Sequence, residues 1–174
     1  MTGIIADNHI RNFRYLGMQI KLIAIGKTDN KAIISLIEEY SKRLNFYIKF
    51  EFEVIPDLKN TKSLSEILQK EKEGELILKK IGASDDLILL DERGKSYSSM
   101  DFSEFLQKKM NSGLKQLIFV IGGPYGFSDE VYSRSNGKLS ISKMTFSHQM
   151  IRPFFIEQLY RGFTILRNEP YHHE

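Results

Sequence analysis

Hydrophobic patterns typical of strands and of helices alternate along this chain, and that alternation restricts the folds it can adopt. Two of the strand-like segments, residues 87–90 and 117–121, are continuous apolar runs. A strand of that kind is buried on both faces, which is typical of a parallel sheet covered by helices on each side. The sequence therefore predicts an α/β fold of roughly five strands and five helices.

The predicted elements follow from the spacing of apolar residues and from local start and stop signals. Strands are predicted at residues 18–26, 46–54, 87–92, 116–121 and 139–142. Helices are predicted at residues 30–44, 63–81, 99–111 and 150–167, with a short one capped by Ser128. The pattern Ser63-x-x-Glu66 predicts a capping box at the start of the second helix, and Gly94 is expected to stop the third strand.

The composition fits a single globular domain and excludes several classes of protein. The 174 residues are 41% hydrophobic and 27% charged, and no apolar run approaches the length of a membrane span. Because the chain has no cysteine, it can have no disulfide framework, thiolate zinc site or thiol nucleophile. These features predict a cytosolic protein that does not associate with membranes. The net charge of +3 permits an anionic partner but does not require one.

The segment before Met18 differs from the rest of the chain. It has no basic stretch followed by an apolar one, so it is not a signal peptide. The first strand pattern begins at Met18 and ends in the turn residue Gly26. We therefore interpret residues 1–17 as an extension, either a tag, a misassigned start or a short arm, and residues 18–174 as one domain.

A glycine-rich segment, residues 122–126, directly follows the fourth predicted strand. Open α/β sheets bind ligands beyond the carboxyl ends of their strands, and glycines let backbone N–H groups approach a ligand closely. The segment lacks both the G-x-G-x-x-G pattern and the Lys-Ser/Thr pair of a P-loop, which argues against a phosphate-gripping nucleotidase. A ligand-binding loop and a plain tight turn are both compatible with it.

Three other polar side chains are candidates for the chemistry. Asp91 and Glu92 end the third predicted strand, where they could bind ribose hydroxyls or magnesium, or be solvated charges. Since adjacent residues of a strand point to opposite faces, at most one of them would face a given site. His148 could act as an acid, a base or a stacking ring, or could bind the backbone at a helix start.

The last predicted helix combines charged, aromatic and apolar positions. Arg152, Ile156 and Tyr160 fall on one face, and a folded-back tail could complete a pocket for an anion or a base. The sequence contains no serine nucleophile elbow and no adequate ligand set for a metal, so no metal is predicted. The apolar residues of this helix are too many for one small core and predict a dimer contact; they are Phe154, Phe155, Leu159, Phe163 and Ile165.

These segments together match the pattern of a known family. The chain from Met18 to Glu174 resembles the RlmH family of SPOUT-superfamily methyltransferases, which methylate N3 of a pseudouridine in 23S rRNA. The matching segments are residues 21–27, 89–91, 94–95, 121–123, 142–152, 157–161 and 170–172. Their combination is specific to the family, whereas the glycine segment alone is not.

The resemblance implies a mostly parallel SPOUT sheet with helices on both faces, a deep C-terminal trefoil knot and an obligate homodimer. It also implies S-adenosylmethionine as the cofactor and 23S rRNA in the assembled ribosome as the partner. Carried over by motif, the cofactor-binding residues are Leu90, Gly122, Gly123, Ile141, Ser142, Lys143, Met144, Thr145 and Phe146. The catalytic residues, which would face the RNA base, are His148, Arg152, Tyr160 and His172.

Three alternatives stay open. The chain could be a SPOUT enzyme for tRNA or another rRNA site, a non-catalytic ribosome-associated module, or a nucleotide-dependent enzyme such as a dehydrogenase. The tail at residues 170–172 argues against the first, the intact segments 122–123 and 142–152 against the second, and the missing dinucleotide fingerprint against the third. The tail from Tyr171 to Glu174 is expected to hold RNA and to have no part in folding.

Overall fold

The computed structural model describes residues 15–59 and 63–172, which form a five-stranded sheet with helices on both faces. The strands are β1 (Tyr15–Ile25), β2 (Ile48–Ile55), β3 (Asp86–Ser96), β4 (Gln116–Ile121) and β5 (Gly137–Ser140). The helices are α1 (Lys31–Leu44), α2 (Glu66–Leu78), α3 (Ser99–Asn111), α4 (Asp129–Arg134) and α5 (Ile151–Leu166). The strand order is β2-β1-β4-β3-β5 and the paired strands are parallel, which confirms the predicted fold class.

Two hydrophobic cores explain the continuous apolar strands. On one face of the sheet, α1, α3 and α5 cover a core that includes Phe119 of β4. On the other face, α2 and α4 cover a core that includes its neighbour Val120. Successive residues of a strand point to opposite faces, so a strand that feeds both cores has to be apolar throughout. Residues 117–121 of β4 are accordingly all buried.

The capping box that the sequence predicts at the second helix is wrong. Helix α2 begins at Glu66, and its N-cap is Ser65, whose side chain accepts a hydrogen bond from the backbone N–H of Leu68. Ser63 lies outside the helix, so it cannot satisfy the free N–H groups of the first turn. A capping box does occur at α3, where it is formed by Ser98 and Asp101.

The predicted stop at Gly94 is also wrong. Strand β3 continues through Gly94 to Ser96, and its register with β5 shifts between Leu90 and Lys95. Strand β5 begins and ends earlier than predicted, at Gly137–Ser140. Residues 141–142 therefore lie beyond the strand, at the carboxyl edge of the sheet.

Two expectations about the chain as a whole stay predictions. Strand β1 begins at Tyr15 and so includes the last part of the predicted extension at residues 1–17, while residues 1–14 lie outside the described residues. The trefoil knot is implied by the resemblance alone. None of the helices in the described part of the chain is long and apolar enough to cross a membrane.

Candidate functional site

A cavity of about 640 Å³ opens beside residues 90–93 of β3 and at the carboxyl ends of β4 and β5. That volume lies within the roughly 300–1,000 Å³ typical of sites for small molecules. Three segments form most of it: residues 90–93 of β3, the glycine segment after β4, and the stretch between β5 and α5. The lining residues are Leu90–Arg93, Ile121–Phe127, Tyr132, Leu139–Ser142, Met144–His148 and Ile151.

The cavity brings together most of the residues that the sequence assigns to cofactor binding. Lys143 is the exception, because it is exposed and does not line the cavity. His148, one of the four predicted catalytic residues, lies in the same lining and is exposed. The predicted cofactor residues in the lining are Leu90, Gly122, Gly123, Ile141, Ser142, Met144, Thr145 and Phe146.

The glycine segment is both a tight turn and a wall of the cavity. The N–H of Gly126 donates to the carbonyl of Gly123 at 3.1 Å, and Gly126 has a φ of 81°, which favours glycine. A Cβ atom on Gly122 would lie 3.1 Å from two ring atoms of Phe127. The two interpretations of this segment are therefore not exclusive, since the turn is what exposes its backbone to the cavity.

Side-chain hydrogen bonds shape the stretch between β5 and α5. The Ser142 hydroxyl accepts from the N–H of Met144 at 2.9 Å, and the Ser140 hydroxyl donates to the Ser142 carbonyl at 2.9 Å. The Ser147 hydroxyl accepts from the N–H of Met150 at 3.2 Å, just before α5. These turns hold the backbone of residues 141–148 along the cavity wall.

Gln149 and Arg152 anchor that stretch to the loop after β1. The Gln149 amide nitrogen donates to the Asp29 carboxylate at 2.8 Å. The Arg152 guanidinium donates to Thr28 Oγ1 at 2.6 Å and to the Ile25 carbonyl at 2.8 Å. These bonds link the cavity wall to the end of β1, which lies on the opposite side of β4 from β3 and β5.

Within one chain, Arg152 lies in a setting that the sequence does not predict. The residue has no exposed surface, and its Nε donates to the His148 carbonyl at 2.9 Å. Burial lowers the pKa of the guanidinium, and the negative charge of Asp57 raises it. In one chain, the three bonded groups surround the guanidinium and leave it no free surface for an RNA base, so its role in catalysis stays a prediction. Arg152 holds the backbone at His148.

Asp91 faces the cavity and is tied to Tyr132. The Tyr132 hydroxyl donates to Asp91 Oδ2 at 2.5 Å, and the N–H of Arg93 donates to Oδ1 at 2.8 Å. Burial, together with the bond to Asp91, raises the pKa of Tyr132 to about 12. Both residues line the cavity, as does Glu92. Asp91 is thus a fixed acceptor at the edge of the site rather than a freely solvated charge.

Tyr160 and His172 lie away from the cavity in the same chain. Tyr160 stands eight residues after Arg152 on α5, which corresponds to about 12 Å along the helix axis. His172 Nδ1 lies 3.5 Å from a guanidinium nitrogen of Arg161, near the end of that helix. One chain therefore places the four predicted catalytic residues in three settings: cavity rim, buried anchor and distal helix end.

The distal end of α5 carries an aromatic cluster that includes the tail. The rings of Tyr160 and Tyr171 are 4.7 Å apart, and the Arg161 guanidinium lies 4.8 Å from the Tyr171 ring. The Tyr171 hydroxyl donates to Glu157 at 2.9 Å. Burial and hydrogen bonds to Tyr40 and Glu157 raise the pKa of Tyr171. The tail thus contributes packing as far as Tyr171, while residues 173–174 lie outside the described residues.

The comparisons with known proteins assign the family. The sequence pattern described as "predicted SPOUT methyltransferase" matches residues 18–172. The chain belongs to the SPOUT methyltransferase family. It is 72% identical to Ribosomal RNA large subunit methyltransferase H of Flavobacterium johnsoniae over 157 residues, 90% of this chain and all of that protein. The protein of the same name from Parabacteroides distasonis is 62% identical over the same coverage.

A solved structure of the SpoU methyltransferase AviRb from Streptomyces viridochromogenes, in complex with AdoMet, is a more distant match. It is 14% identical, with a TM-score of 0.43, and the match covers 90% of this chain and 62% of that one. The family assignment rests on the sequence relatives, which match over their whole length.

Several residues that shape the cavity were not expected from the sequence. Gln149 and Thr28 act through hydrogen bonds across the sheet edge; Gln149 lies in the matching segment 142–152, but its spacing does not indicate the partner, and Thr28 belongs to no matching segment. Tyr132 carries no pattern either, although its position one turn into the helix after the glycine segment places it near the cavity. Within residues 15–59 and 63–172, no group of three or more His, Asp or Glu side chains is arranged to hold a metal ion.

Proposed function

We propose that this protein is an S-adenosylmethionine-dependent methyltransferase that methylates N3 of a pseudouridine in 23S rRNA of the assembled ribosome. The observation that carries the proposal is the 72% identity, over its full length, to a protein named Ribosomal RNA large subunit methyltransferase H. The cavity supports it, because it gathers eight of the nine residues assigned to the cofactor by motif.

The residues of the cavity fit the proposed cofactor. Leu90 and Ile141 provide apolar walls for a flat base, and the turns at residues 122–126 and 142–146 present backbone polar groups. Asp91 is a fixed carboxylate that can accept from a hydroxyl or an ammonium group. When bound, S-adenosylmethionine supplies a methyl group on a sulfonium, which N3 of the base can displace without a metal or a protein nucleophile.

The work left to the chain is positioning and proton removal. The cavity walls hold the reacting groups in line and exclude water, which accounts for much of the rate enhancement in such reactions. The N3 proton has to leave as the new N–C bond forms, and we propose His148 at the cavity rim as the group that accepts it. Arg152 fixes the backbone of His148 and so acts as a positioning residue.

We also propose that the protein works as a homodimer. The sequence predicts a dimer contact because the last helix has five apolar residues, too many for one small core. The structure weakens that argument, because three of them, Phe155, Leu159 and Phe163, are buried within a single chain. Phe154 remains 44% exposed, and its ring lies 5.3 Å from that of Phe146 on the cavity wall. An apolar surface beside the cavity is suited to a two-fold contact. For all four predicted catalytic residues to share one site, such a dimer has to bring Tyr160 and His172 of one copy to the cavity of the other.

The proposed substrate also fits the charge and the location of the chain. A net charge of +3 is small for a protein that binds RNA, but a dimer doubles it and an assembled ribosome offers shape as well as phosphate. We place the protein in the cytoplasm, where ribosomes are. This placement rests on the substrate and not on the lack of a membrane-spanning helix.

The decisive experiment is a methylation assay on ribosomes from a strain that lacks the gene, followed by mass mapping of the rRNA. Our proposal expects one added methyl group on a pseudouridine of 23S rRNA. A methyl group on another nucleotide, or on tRNA, would assign the chain to a different SPOUT reaction. Calorimetry with S-adenosylmethionine completes the test, since a non-catalytic module or a dehydrogenase should not bind it.

A further inference from the structure

The carboxylate of Glu73 on α2 is buried behind the glycine segment of the cavity. The residue is 3% exposed, and its Oε1 accepts a hydrogen bond from the Gln69 amide at 2.8 Å. Its Oε2 has no hydrogen-bond partner. A Cβ atom on Gly123 would lie 2.8 Å from the Glu73 carboxyl carbon and would overlap Oε2, so the carboxylate touches the glycine backbone.

No positive charge compensates this carboxylate among the described residues. Burial raises the pKa of Glu73, the Gln69 bond lowers it, and the negative charge of Asp57 at the end of β2 raises it again. A neighbouring polar atom, Ser128 Oγ, is likewise buried without a partner, against Gly74 of the same helix. Burying a charge or a polar group without a partner destabilises a fold, so the buried side chains of Glu73 and Ser128 lower the stability of the protein.

Gly123 separates that charge from the cavity. The glycine contacts Glu73 on one side and lines the cavity on the other. Only the backbone of Gly123 therefore lies between the carboxylate and the cavity. A side chain at this position would push the carboxylate away. In a medium of low polarity, a charge at that range acts on the charge of a ligand more strongly than it would in water.

We infer that the negative charge of Glu73 makes the cavity bind a cationic sulfonium more tightly than the neutral thioether that remains after methyl transfer. The inference rests on the proposed function. Cofactor and product share the same amino, carboxylate and nucleoside groups and differ by the methyl group and the positive charge on sulfur. A negative charge behind Gly123 therefore strengthens binding before the reaction and withdraws that advantage once the methyl group has left, which favours release of the product.

The test compares S-adenosylmethionine and S-adenosylhomocysteine by calorimetry in the wild-type protein, in Glu73→Gln and in the matched control Glu75→Gln. Glu75 lies on the same helix but is exposed. We expect the preference for the cation to fall about fivefold in Glu73→Gln, as for a nearby charge acting at an effective dielectric between those of protein and water. Glu75→Gln should keep the wild-type preference.

The pH dependence of that preference gives a second readout. In the wild-type protein, the preference for S-adenosylmethionine over S-adenosylhomocysteine should rise with pH as Glu73 ionises. The part of that rise due to Glu73 should be absent in Glu73→Gln. The other charged or ionisable groups that face Glu73 or the cavity are present in every variant, so the comparison between variants at one pH isolates Glu73; they are Asp57, Asp91, Glu92, Arg93, Tyr125, Tyr132 and His148. The melting temperature of Glu73→Gln should equal or exceed that of the wild type, whereas loss of a merely structural group would lower it.

The possible results distinguish a failure of the inference about Glu73 from a failure of the proposed methyltransferase function. If the wild-type protein binds neither compound, the proposed function fails. If it binds both and Glu73→Gln keeps the wild-type preference, the function stands and the inference about Glu73 is wrong. Should Glu73→Gln not fold, Glu73→Met removes the same charge without burying a polar group, and a wild-type preference in that variant would overturn the inference equally.

Discussion

A Cβ atom on Gly94 would lie 2.5 Å from both the backbone nitrogen and the carbonyl carbon of Leu139. At Gly94, the backbone of β3 thus packs directly against the backbone of its neighbour β5 and leaves no room for a side chain. This contact lies where the register between the two strands shifts. Residues 90–93 of β3 and residues 139–140 of β5 line the cavity, so this contact fixes one of its walls.

Replacement of Gly94 by alanine should therefore destabilise the protein by about 3 kcal/mol or more, because backbone atoms cannot move aside as a flexible side chain can. Chemical denaturation of the purified variant measures the effect. Gly137→Ala is the matched control, since its Cβ would meet only the end of the Ile88 side chain, at 3.2 Å. Equal stability of the two variants would mean that the contact is looser than the structure shows.

Arg152→Met should lower the free energy of unfolding by about 3 kcal/mol. The variant keeps the apolar stem but leaves the Ile25 and His148 carbonyls without their donor. The surface change Lys108→Met should stay within about 0.5 kcal/mol of the wild type. Because Arg152 positions His148, methyl transfer should fall further than the loss of folded protein explains. A fully stable variant would contradict the anchoring role.

Truncation of the tail separates its two parts. Removal of residues 173–174 should leave the melting temperature unchanged. Tyr171→Ala should cost about 1–2 kcal/mol, because the ring packs on Tyr160 and its hydroxyl bonds Glu157. This outcome differs from the sequence expectation that the whole tail has no part in folding. Removal of residues 171–174 should also reduce methylation of ribosomes at least tenfold, and full activity of that protein would show that the tail does not hold RNA.

Gly122→Val should abolish binding of S-adenosylmethionine. A side chain there would press on the Phe127 ring and displace the turn that exposes its backbone to the cavity. The contact with Phe127 is tight, so some loss of stability should accompany the change, and Gly122→Ala should show a smaller loss of both. Calorimetry paired with thermal unfolding checks this. Undiminished binding in the valine variant would place the cofactor elsewhere.

The bond between Tyr132 and Asp91 predicts a loss of stability at alkaline pH. The pKa of Tyr132 is raised to about 12, above its value of roughly 10 in an unfolded chain. The stabilisation is therefore complete below about pH 10 and is lost as the pH rises toward 12. In Tyr132→Phe, stability at pH 8 should be lower by about 1 kcal/mol and this part of the alkaline decline should be absent. Urea denaturation at several pH values measures both effects, and identical profiles would contradict the bond.

Sequence patterns were enough to predict the fold class and to indicate one edge of the sheet as a candidate ligand site. The continuous apolar runs at residues 87–90 and 117–121 predicted strands buried on both faces, and the glycine segment marked the carboxyl edge where such sheets bind ligands. These features are local, because hydrophobic period and turn chemistry depend on neighbouring residues. The resemblance to the family then supplied the cofactor residues, most of which the structure gathers around one cavity.

The roles of Gly94, Arg152 and Glu73 can be recognised only in the folded structure. Gly94 has the pattern of a strand stop, but the strand continues because another backbone packs against it there. Arg152 has the pattern of a surface cation, but carbonyls from distant segments surround it. Glu73 lies in a charged helix among exposed carboxylates, and only the packing of α2 beneath Gly123 buries it. Each role depends on a partner far along the chain, and the spacing of residues in one sequence does not encode which distant groups meet.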